Sequence, residues 1–200
     1  FSAVLRNTDA TSANKLQFLS NDANVLFSRC TLSVGGCLTE DIQHYGKLTM
    51  ITNELQPNEK KQNDAILSIS SPPAIGLGHD GKSQEIDIGD AGERRVMWRP
   101  VVSGLCYGQS KLLPACFLGS GGLQIVMELD VPANICSTNT SAHSTSYTLS
   151  DIRAHADVCY LETSLQNSFA ESMLSSKPLI MHFETFVNQL HQFAKNAAFD

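Results

Sequence analysis

Charged residues are scarce in this sequence, and no basic cluster is present. Only 17% of the 200 residues are charged, against about a quarter in an average soluble domain. The 14 basic residues are scattered along a chain with a net charge of −6. Because a protein that binds nucleic acid directly needs a basic surface to neutralise phosphates, the sequence disfavours nucleic acid as a direct partner.

Long apolar runs and a leader are also missing. No stretch approaches the roughly 18 consecutive apolar residues that a membrane-spanning helix needs, so we expect no membrane span. The first residues, Phe1-Ser2-Ala3, include neither a Met nor the charged-then-apolar pattern of a signal peptide. We therefore expect the chain to be a fragment or a processed product.

Catalytic motifs and paired cysteines are absent as well. Gly119-Ser120-Gly121 lacks the spaced glycines of a nucleophile elbow, and the histidines form no clear acid–base pair with carboxylates. No CxxC pair occurs, and several cysteines lie in apolar strand patterns, which predicts buried free thiols. The six are Cys30, Cys37, Cys106, Cys116, Cys136 and Cys159. We expect no enzyme activity, and assign no catalytic, cofactor-binding or metal-binding residue and no small-molecule substrate.

What the chain does contain is strand patterning. Ser, Thr, Asn and Gly are plentiful, and a hydrophobic content of 42% is enough for a sizeable core, which together favour a mainly β protein with short helices. Residues 24–34 alternate and end at Gly35-Gly36. The clearest alternation places one set of apolar side chains on a single strand face: Leu123, Ile125, Met127, Leu129 and Val131.

Two helices and two further strands are predicted by spacing. Apolar residues recur at helical intervals from Thr39, a potential cap, to Leu55, and Pro57 ends that helix. Thr163-x-x-Gln166 forms a capping box ahead of a helix of about three turns. Alternation predicts strands over 147–160 and 179–187.

Composition divides the chain into units. Residues 68–95 contain Pro72-Pro73 and several glycines, which predicts a long loop insertion. Residues 133–146 are small and polar, which is typical of a linker. The loop also contains Gly76-x-Gly78-x-x-Gly81, but neither a strand before it nor a helix after it supports a dinucleotide site. Its acids, Asp80, Asp87 and Asp90, lack the alternate spacing of an EF-hand calcium loop.

Three blocks of the sequence, residues 30–64, 98–131 and 147–186, carry short motifs in a fixed order. The first block has a small-residue turn, an acidic-Ile step, an aromatic residue and a Pro-containing basic stretch: Gly35, Gly36, Glu40, Asp41, Ile42, Tyr45, Pro57, Lys60, Lys61, Asn63 and Asp64. The later blocks carry Lys111-Leu-Leu-Pro114 and Lys177-Pro-Leu-Ile180. In these motifs and their order the blocks resemble the major capsid proteins of the double jelly-roll lineage, most of all those of polinton-like viruses and virophages.

The resemblance implies a jelly-roll β-sandwich with parts of two adjacent jelly rolls. Residues 1–132 would form part of the first jelly roll with the 68–95 insertion, 133–146 the linker, and 147–200 the start of the second. It further implies a structural protein of the virion capsid, assembled inside the host cell. Its partners would be two further copies in a homotrimeric, pseudo-hexagonal capsomer, and neighbouring capsomers of an icosahedral shell.

Two other functions compete with the shell hypothesis. His155 and Asp157 form an HxD pair on one strand face, and His182 or His191 would complete the facial triad of a non-haem iron oxygenase. No arginine follows Arg153, however, and a solvated strand face needs no metal. A carbohydrate- or protein-binding β-sandwich is the second alternative, with Trp98, Tyr107 and Tyr147 as the aromatic residues available to stack on a sugar. Because Trp98 lies inside an alternating strand, the sequence favours a core position for it.

Overall fold

The computed structural model describes residues 1–57, 59, 69, 93–100, 112–137, 142–177, 180 and 182–189. Within these residues the protein is mainly β with a few short helices, as the composition predicts. The strands are β1 (Ser2–Asn7), β2 (Lys15–Leu16), β3 (Phe27–Val34), β4 (Cys37–Gln43), β5 (Arg94–Met97), β6 (Leu123–Leu129), β7 (His143–Ser144) and β8 (Tyr147–Arg153). The α-helices are α1 (Tyr45–Glu54), α2 (Pro132–Ile135) and α3 (Thr163–Leu174), with 3-10 turns at Ala23–Leu26 and Ala115–Phe117. No helix among the described residues is long and apolar enough to cross a membrane.

One antiparallel sheet has the strand order β4-β3-β6. Gly35 and Gly36 join β3 to β4 in a two-residue turn, both with positive φ (60° and 84°), a conformation that side chains other than glycine adopt at a cost. Arg29 of the central strand β3 ties the three strands together. It donates two hydrogen bonds to Asp41 of β4, both 2.8 Å, and one to Glu128 of β6 at 3.3 Å.

The predicted helix from Thr39 to Leu55 is only partly correct. Helix α1 occupies its second half, and the first half is strand β4, which pairs with β3. The tight glycine turn places β4 opposite β3, so that Glu40 and Ile42 alternate inward against Leu32 and Cys30. Tertiary pairing therefore overrides the helical spacing. His44, in the left-handed conformation (φ 50°), marks the change from strand to helix, and no side chain caps α1.

The second antiparallel sheet has the order β5-β1-β8. Its central strand, β1, is buried along most of its length and pairs with β5 (Leu5 opposite Arg94) and β8 (Leu5 opposite Leu149). Trp98 follows β5 and is buried, with its ring stacked on Phe1 and tilted against Phe27. The sequence prediction of a core position for Trp98 is confirmed.

Strand β8 is shorter than the predicted strand over 147–160. It ends at Arg153, which pairs with Ser2 at the first residue of β1, so the residues after 153 have no further β1 residue to pair with. Ile152 of β8 is exposed. Strand β8 also joins the sheet of β1, so the segment predicted to begin a second unit pairs with a strand from the first residues of the chain.

The segment predicted as a polar linker packs into the core over its described residues. Ile135 and Cys136 are buried, and Cys136 forms an isolated antiparallel bridge with Phe18. Strand β7 pairs in parallel with β2, which buries Ser144 completely. The Ser144 hydroxyl donates to Asn7 Oδ1 at 2.9 Å. A small polar side chain such as Ser144 is stable in a buried position because it has a hydrogen-bond partner. The composition of the segment does not reveal such partners.

Helix α1 is anchored to the 3-10 turn before β3. The buried Tyr45 hydroxyl donates to Asn24 Oδ1 at 3.1 Å, and Asn24 Nδ2 donates in turn to Asp22 and to the carbonyl of Arg99. Gly46 lies so close to the main chain that a Cβ there would come 2.8 Å from the Val25 carbonyl oxygen. The helix therefore approaches the sheet through its first turn. Most of the core lies between this turn and the two sheets: Leu5, Leu16, Leu26, Cys30, Leu32, Ile42, Ile69 and Val96.

The C-terminal elements carry apolar patterns but no buried residue. Helix α3 is confirmed over three turns, although its N-cap residue is Glu162 and no side-chain cap hydrogen bond forms, so the predicted capping box is wrong. The predicted strand over 179–187 is also not formed in its described residues, which are neither helix nor strand. Both elements lie at the surface of the protein.

Several predictions fall on other parts of the chain. The insertion predicted for 68–95 lies outside the described residues except for Ile69, which is buried, and for 93–95, where β5 begins at Arg94. The glycine motif over 76–81 and the three loop aspartates also lie outside them, as do Cys106, Tyr107 and His191.

Candidate functional site: exposed apolar surfaces

The largest exposed apolar surface belongs to residues 154–177, 180 and 182–189, which we call the distal segment. None of these residues is buried. Val187, Tyr160 and Leu174 are 95%, 92% and 86% exposed. The large apolar side chains that the distal segment exposes are Val158, Tyr160, Leu161, Leu165, Met173, Leu174, Ile180, Phe183, Phe186 and Val187. Because monomeric proteins rarely expose such a contiguous set, this segment is the first candidate for a binding surface.

The distal segment touches the rest of the protein through polar contacts. Ser2 Oγ and His155 Nε2 are 2.9 Å apart. Near the other end, Asn188 Nδ2 donates to the carbonyls of Gln43 and His44, at 3.3 and 3.4 Å, where β4 ends. These contacts place the last described residues of the chain beside the β4 edge of the first sheet.

The second exposed apolar surface is strand β6, the edge of the sheet opposite β4. Leu123, Val126 and Leu129 are all exposed, whereas Ile125 and Met127 are half-buried and pack on the core. The sequence prediction of a strand here is confirmed, but its apolar face is covered only at its centre. Among the described residues β6 pairs with β3 alone, so its other edge presents main-chain groups without a strand partner.

The histidine–aspartate pair considered for iron does not gather further ligands within the described residues. Asp157 is exposed, and the described parts of the chain contain no group of three His, Cys, Asp or Glu side chains able to hold a metal ion. His182 is exposed as well. The geometry thus gives no support to the oxygenase hypothesis, and the third candidate ligand, His191, lies outside the described residues.

A shallow groove lies where the two antiparallel sheets meet. Its volume is about 460 Å³, and it is lined by Thr8, Leu129, Asp130, Pro132, Thr145, Ser146, Tyr147 and Leu149. Asp130 Oδ1 accepts hydrogen bonds from the main-chain N–H of Val131 and from Asn134 Nδ2, so this carboxylate oxygen is held by residues at the start of α2. Burial raises the pKa of the Tyr147 phenol to about 12. Hydroxyl groups and a carboxylate beside apolar side chains are groups that can bind a sugar. The groove was not predicted from the sequence, because its residues are far apart along the chain.

Two cysteines fulfil the prediction of buried free thiols. Cys30 and Cys136 are buried, and burial raises the pKa of the Cys136 thiol to about 11, which keeps it protonated and unreactive at neutral pH. Cys37, Cys116 and Cys159 are also free but exposed, so the prediction is wrong for them.

Glu40 is the one charged side chain buried among the described residues. It lies on the inward face of β4 opposite Leu32, and neither of its carboxylate oxygens has a hydrogen-bond partner. An unpaired carboxylate in the interior lowers the stability of a fold. Glu40 therefore costs stability in the single chain and does not hold the hairpin together.

The chain matches no family model, no curated protein and no solved structure. The candidate sites of this protein are therefore defined by its own residues and their positions in the fold. Those residues form two exposed apolar surfaces and one shallow groove, and no cluster of catalytic or metal-binding groups within the described residues.

Proposed function

We propose that this chain is a structural subunit of a viral capsid, part of a double jelly-roll protein that assembles as a homotrimer and then with neighbouring capsomers in the virion. Three blocks of sequence resemble that lineage, and a mainly β fold with antiparallel sheets is compatible with it. In this proposal the protein has no enzymatic role. Its function would require complementarity between surfaces, since shell subunits act by contacting each other.

The observation that carries the proposal is the amount of apolar surface that the single chain leaves uncovered. Strand β6 and the distal segment together expose more than a dozen large apolar side chains. A monomeric enzyme or lectin normally limits such surface to its ligand site, because exposed apolar area promotes association. A shell subunit buries it against copies of itself.

In this proposal the first jelly roll extends further along the chain than the sequence indicates. Strand β8 completes the sheet of β1 and β5, so we place the end of the first jelly roll after Arg153 and not at residue 132. The second jelly roll would then begin in the distal segment. This position lies close to Leu149, the last half-buried residue of β8, after which every residue from 150 to 168 is exposed.

The experiment that tests the proposal is the molar mass of the purified chain, measured by light scattering behind size exclusion over a range of concentrations. We expect a species of three times the 21.7 kDa of one chain, and images of that species with three-fold symmetry. A chain that stays monomeric at every concentration contradicts the proposal.

A carbohydrate-binding β-sandwich is the second candidate, because the groove lined by Thr8, Asp130 and Tyr147 offers hydroxyl and carboxylate groups. Its test is a glycan array with the wild-type chain and the Asp130→Asn variant. Saturable binding of one glycan class by a monomer, lost in the variant, would favour the lectin. Absence of binding combined with a trimer would favour the shell subunit.

A further inference from the structure

Residues 179–187 have the alternating pattern of a strand, but the described residues among them form no strand. Phe183, Thr185 and Val187 alternate as a half-buried strand would, yet over 182–189 the chain forms neither strand nor helix. All three side chains are exposed. A strand pattern of this kind is stabilised only when a sheet edge is available for pairing, because an isolated strand has no hydrogen-bond partner.

Strand β6 is an edge strand that is available for such pairing within the described residues. Soluble proteins protect edge strands with lysine, proline, bulges or a covering element. The sequence of β6, LQIVMEL, contains no lysine or proline, and its one charge, Glu128, is engaged by Arg29 at 3.3 Å. An apolar, unprotected edge of seven residues is the kind of surface that accepts another strand.

We propose that residues 182–189 of one copy add as a strand to the β6 edge of a second copy of this chain. This inference rests on the proposed function, since it names the contact that would hold the homotrimer together. Main-chain hydrogen bonds along β6 would supply most of the contact, and the alternating side chains of the added segment would set its register.

The positions of donor and acceptor favour a partner copy over the same chain. In the sheet order β4-β3-β6, Asn188 lies at the end of β4, and β6 is the opposite edge. A donor at one edge and an acceptor at the other make a head-to-tail interface between copies. Such interfaces close into a ring when the rotation between copies allows it. A ring of three copies is the homotrimer of the proposed function.

The apolar area agrees with a stable interface. Ten large apolar side chains of the distal segment are exposed, by fractions equivalent to about six fully exposed side chains. At about 150 Å² for each, the segment offers roughly 900 Å². A standard protein–protein interface buries about 800 Å² on each partner, so the distal segment supplies the apolar area of one side of such an interface. The three exposed apolar side chains of β6 supply roughly 200 Å² on the same basis, so the acceptor side depends mainly on main-chain hydrogen bonds along the edge.

The test compares two single-site variants of the full chain with a matched control. Val187→Pro removes a main-chain donor and prevents strand pairing in the donor segment, and Val126→Lys places a protecting charge on the acceptor edge. Leu38→Asp is the control, because Leu38 is 62% exposed at the hairpin end of β4, outside both surfaces. Molar mass and amide hydrogen exchange of residues 123–129 are measured for each protein, and circular dichroism verifies the fold.

We expect the wild type and Leu38→Asp to form trimers in which the amides of β6 gain protection as concentration rises. Val187→Pro and Val126→Lys should remain monomeric, with native circular dichroism and no gain in protection. Trimers of unchanged protection in both variants would overturn strand addition but leave the shell proposal intact. A wild type that is monomeric at all concentrations would overturn both, and protection of β6 that is independent of concentration would assign the edge to the same chain.

Discussion

The first 57 residues and the distal segment have similar apolar patterning, but only the first 57 residues bury apolar side chains. Strand β1, strand β3 and the first turn of helix α1 bury large side chains, among them Leu5, Leu32 and Tyr45. Helix α3 and residues 182–189 have comparable patterns and bury none. The difference shows that periodicity states which face of an element can be covered, whereas pairing partners elsewhere in the chain determine whether it is covered.

Partners explain the contrast element by element. Strand β1 has β5 on one side and β8 on the other, and β3 has β4 and β6. The described residues of the distal segment join no sheet, and their contacts with the rest of the protein include polar ones such as that of Asn188 with the Gln43 carbonyl. If the proposed assembly is correct, the distal segment is simply the part of the sequence whose partner belongs to another molecule.

The largest effect that separates the two regions is expected from leucine truncation. Leu32→Ala should lower the free energy of unfolding by about 3 kcal/mol, because it removes a fully buried side chain and leaves a cavity between β3 and its neighbours. Leu174→Ala, the matched change at a residue that is 86% exposed, should stay within about 0.5 kcal/mol of wild type. Urea unfolding of the monomeric chain measures both. Equal losses would mean that the distal segment is packed in solution.

A smaller effect is expected from removing one hydroxyl group. Tyr45→Phe should destabilise the chain by about 1–2 kcal/mol, because Asn24 Oδ1 loses its buried donor and the link between α1 and the 3-10 turn is broken. Tyr160→Phe, at a fully solvated phenol, is the control and should leave the urea midpoint unchanged. An unchanged midpoint in both variants would show that water replaces the Tyr45 hydrogen bond.

Sequence patterns predicted the local elements better than their ends. Strand β3, its Gly35-Gly36 turn and helix α3 follow from short-range rules on alternation, turn chemistry and helical spacing. The strand predicted over 24–34 begins only at Phe27, because residues 24–26 form part of a 3-10 turn. The stretch Thr39–Gln43 satisfies both a strand and a helix pattern, and pairing with β3 decided between them. Strand β8 stops at Arg153 for a similar reason, since Ser2 is the last β1 residue opposite it.

Long-range pairing could not be predicted from the chain alone. The pairing of β1 with β8 joins residues more than 140 positions apart, and that of β2 with β7 buries a segment whose composition is typical of a linker. The groove at Thr8, Asp130 and Tyr147 depends on the same pairings, so sequence spacing gives no signal for it. Exposure of the distal segment was likewise not predictable, because its apolar pattern equals that of a core element.

The smallest effect is expected from the ion pairs that join the strands of the first sheet, and it depends on pH. The Arg29 guanidinium, with two hydrogen bonds to the Asp41 carboxylate, lowers the pKa of Asp41 in the folded protein. A carboxyl whose folded pKa lies below its unfolded value of about 3.9 stabilises the fold above that pH. This contribution disappears as the pH falls through the folded pKa.

Arg29→Met should therefore lower the urea midpoint at neutral pH by less than Tyr45→Phe does, because the pair is largely exposed and screened by solvent. The midpoints of wild type and variant should converge as the pH falls below the lowered pKa of Asp41 in the folded protein, since the carboxyl is then protonated in both. Lys177→Met removes the same charge from the distal segment, where no ion pair among the described residues is lost, and its difference from wild type should not show this convergence. A difference for Arg29→Met that stays constant down to acid pH would mean that the arginine stabilises the sheet through its aliphatic stem and not through Asp41.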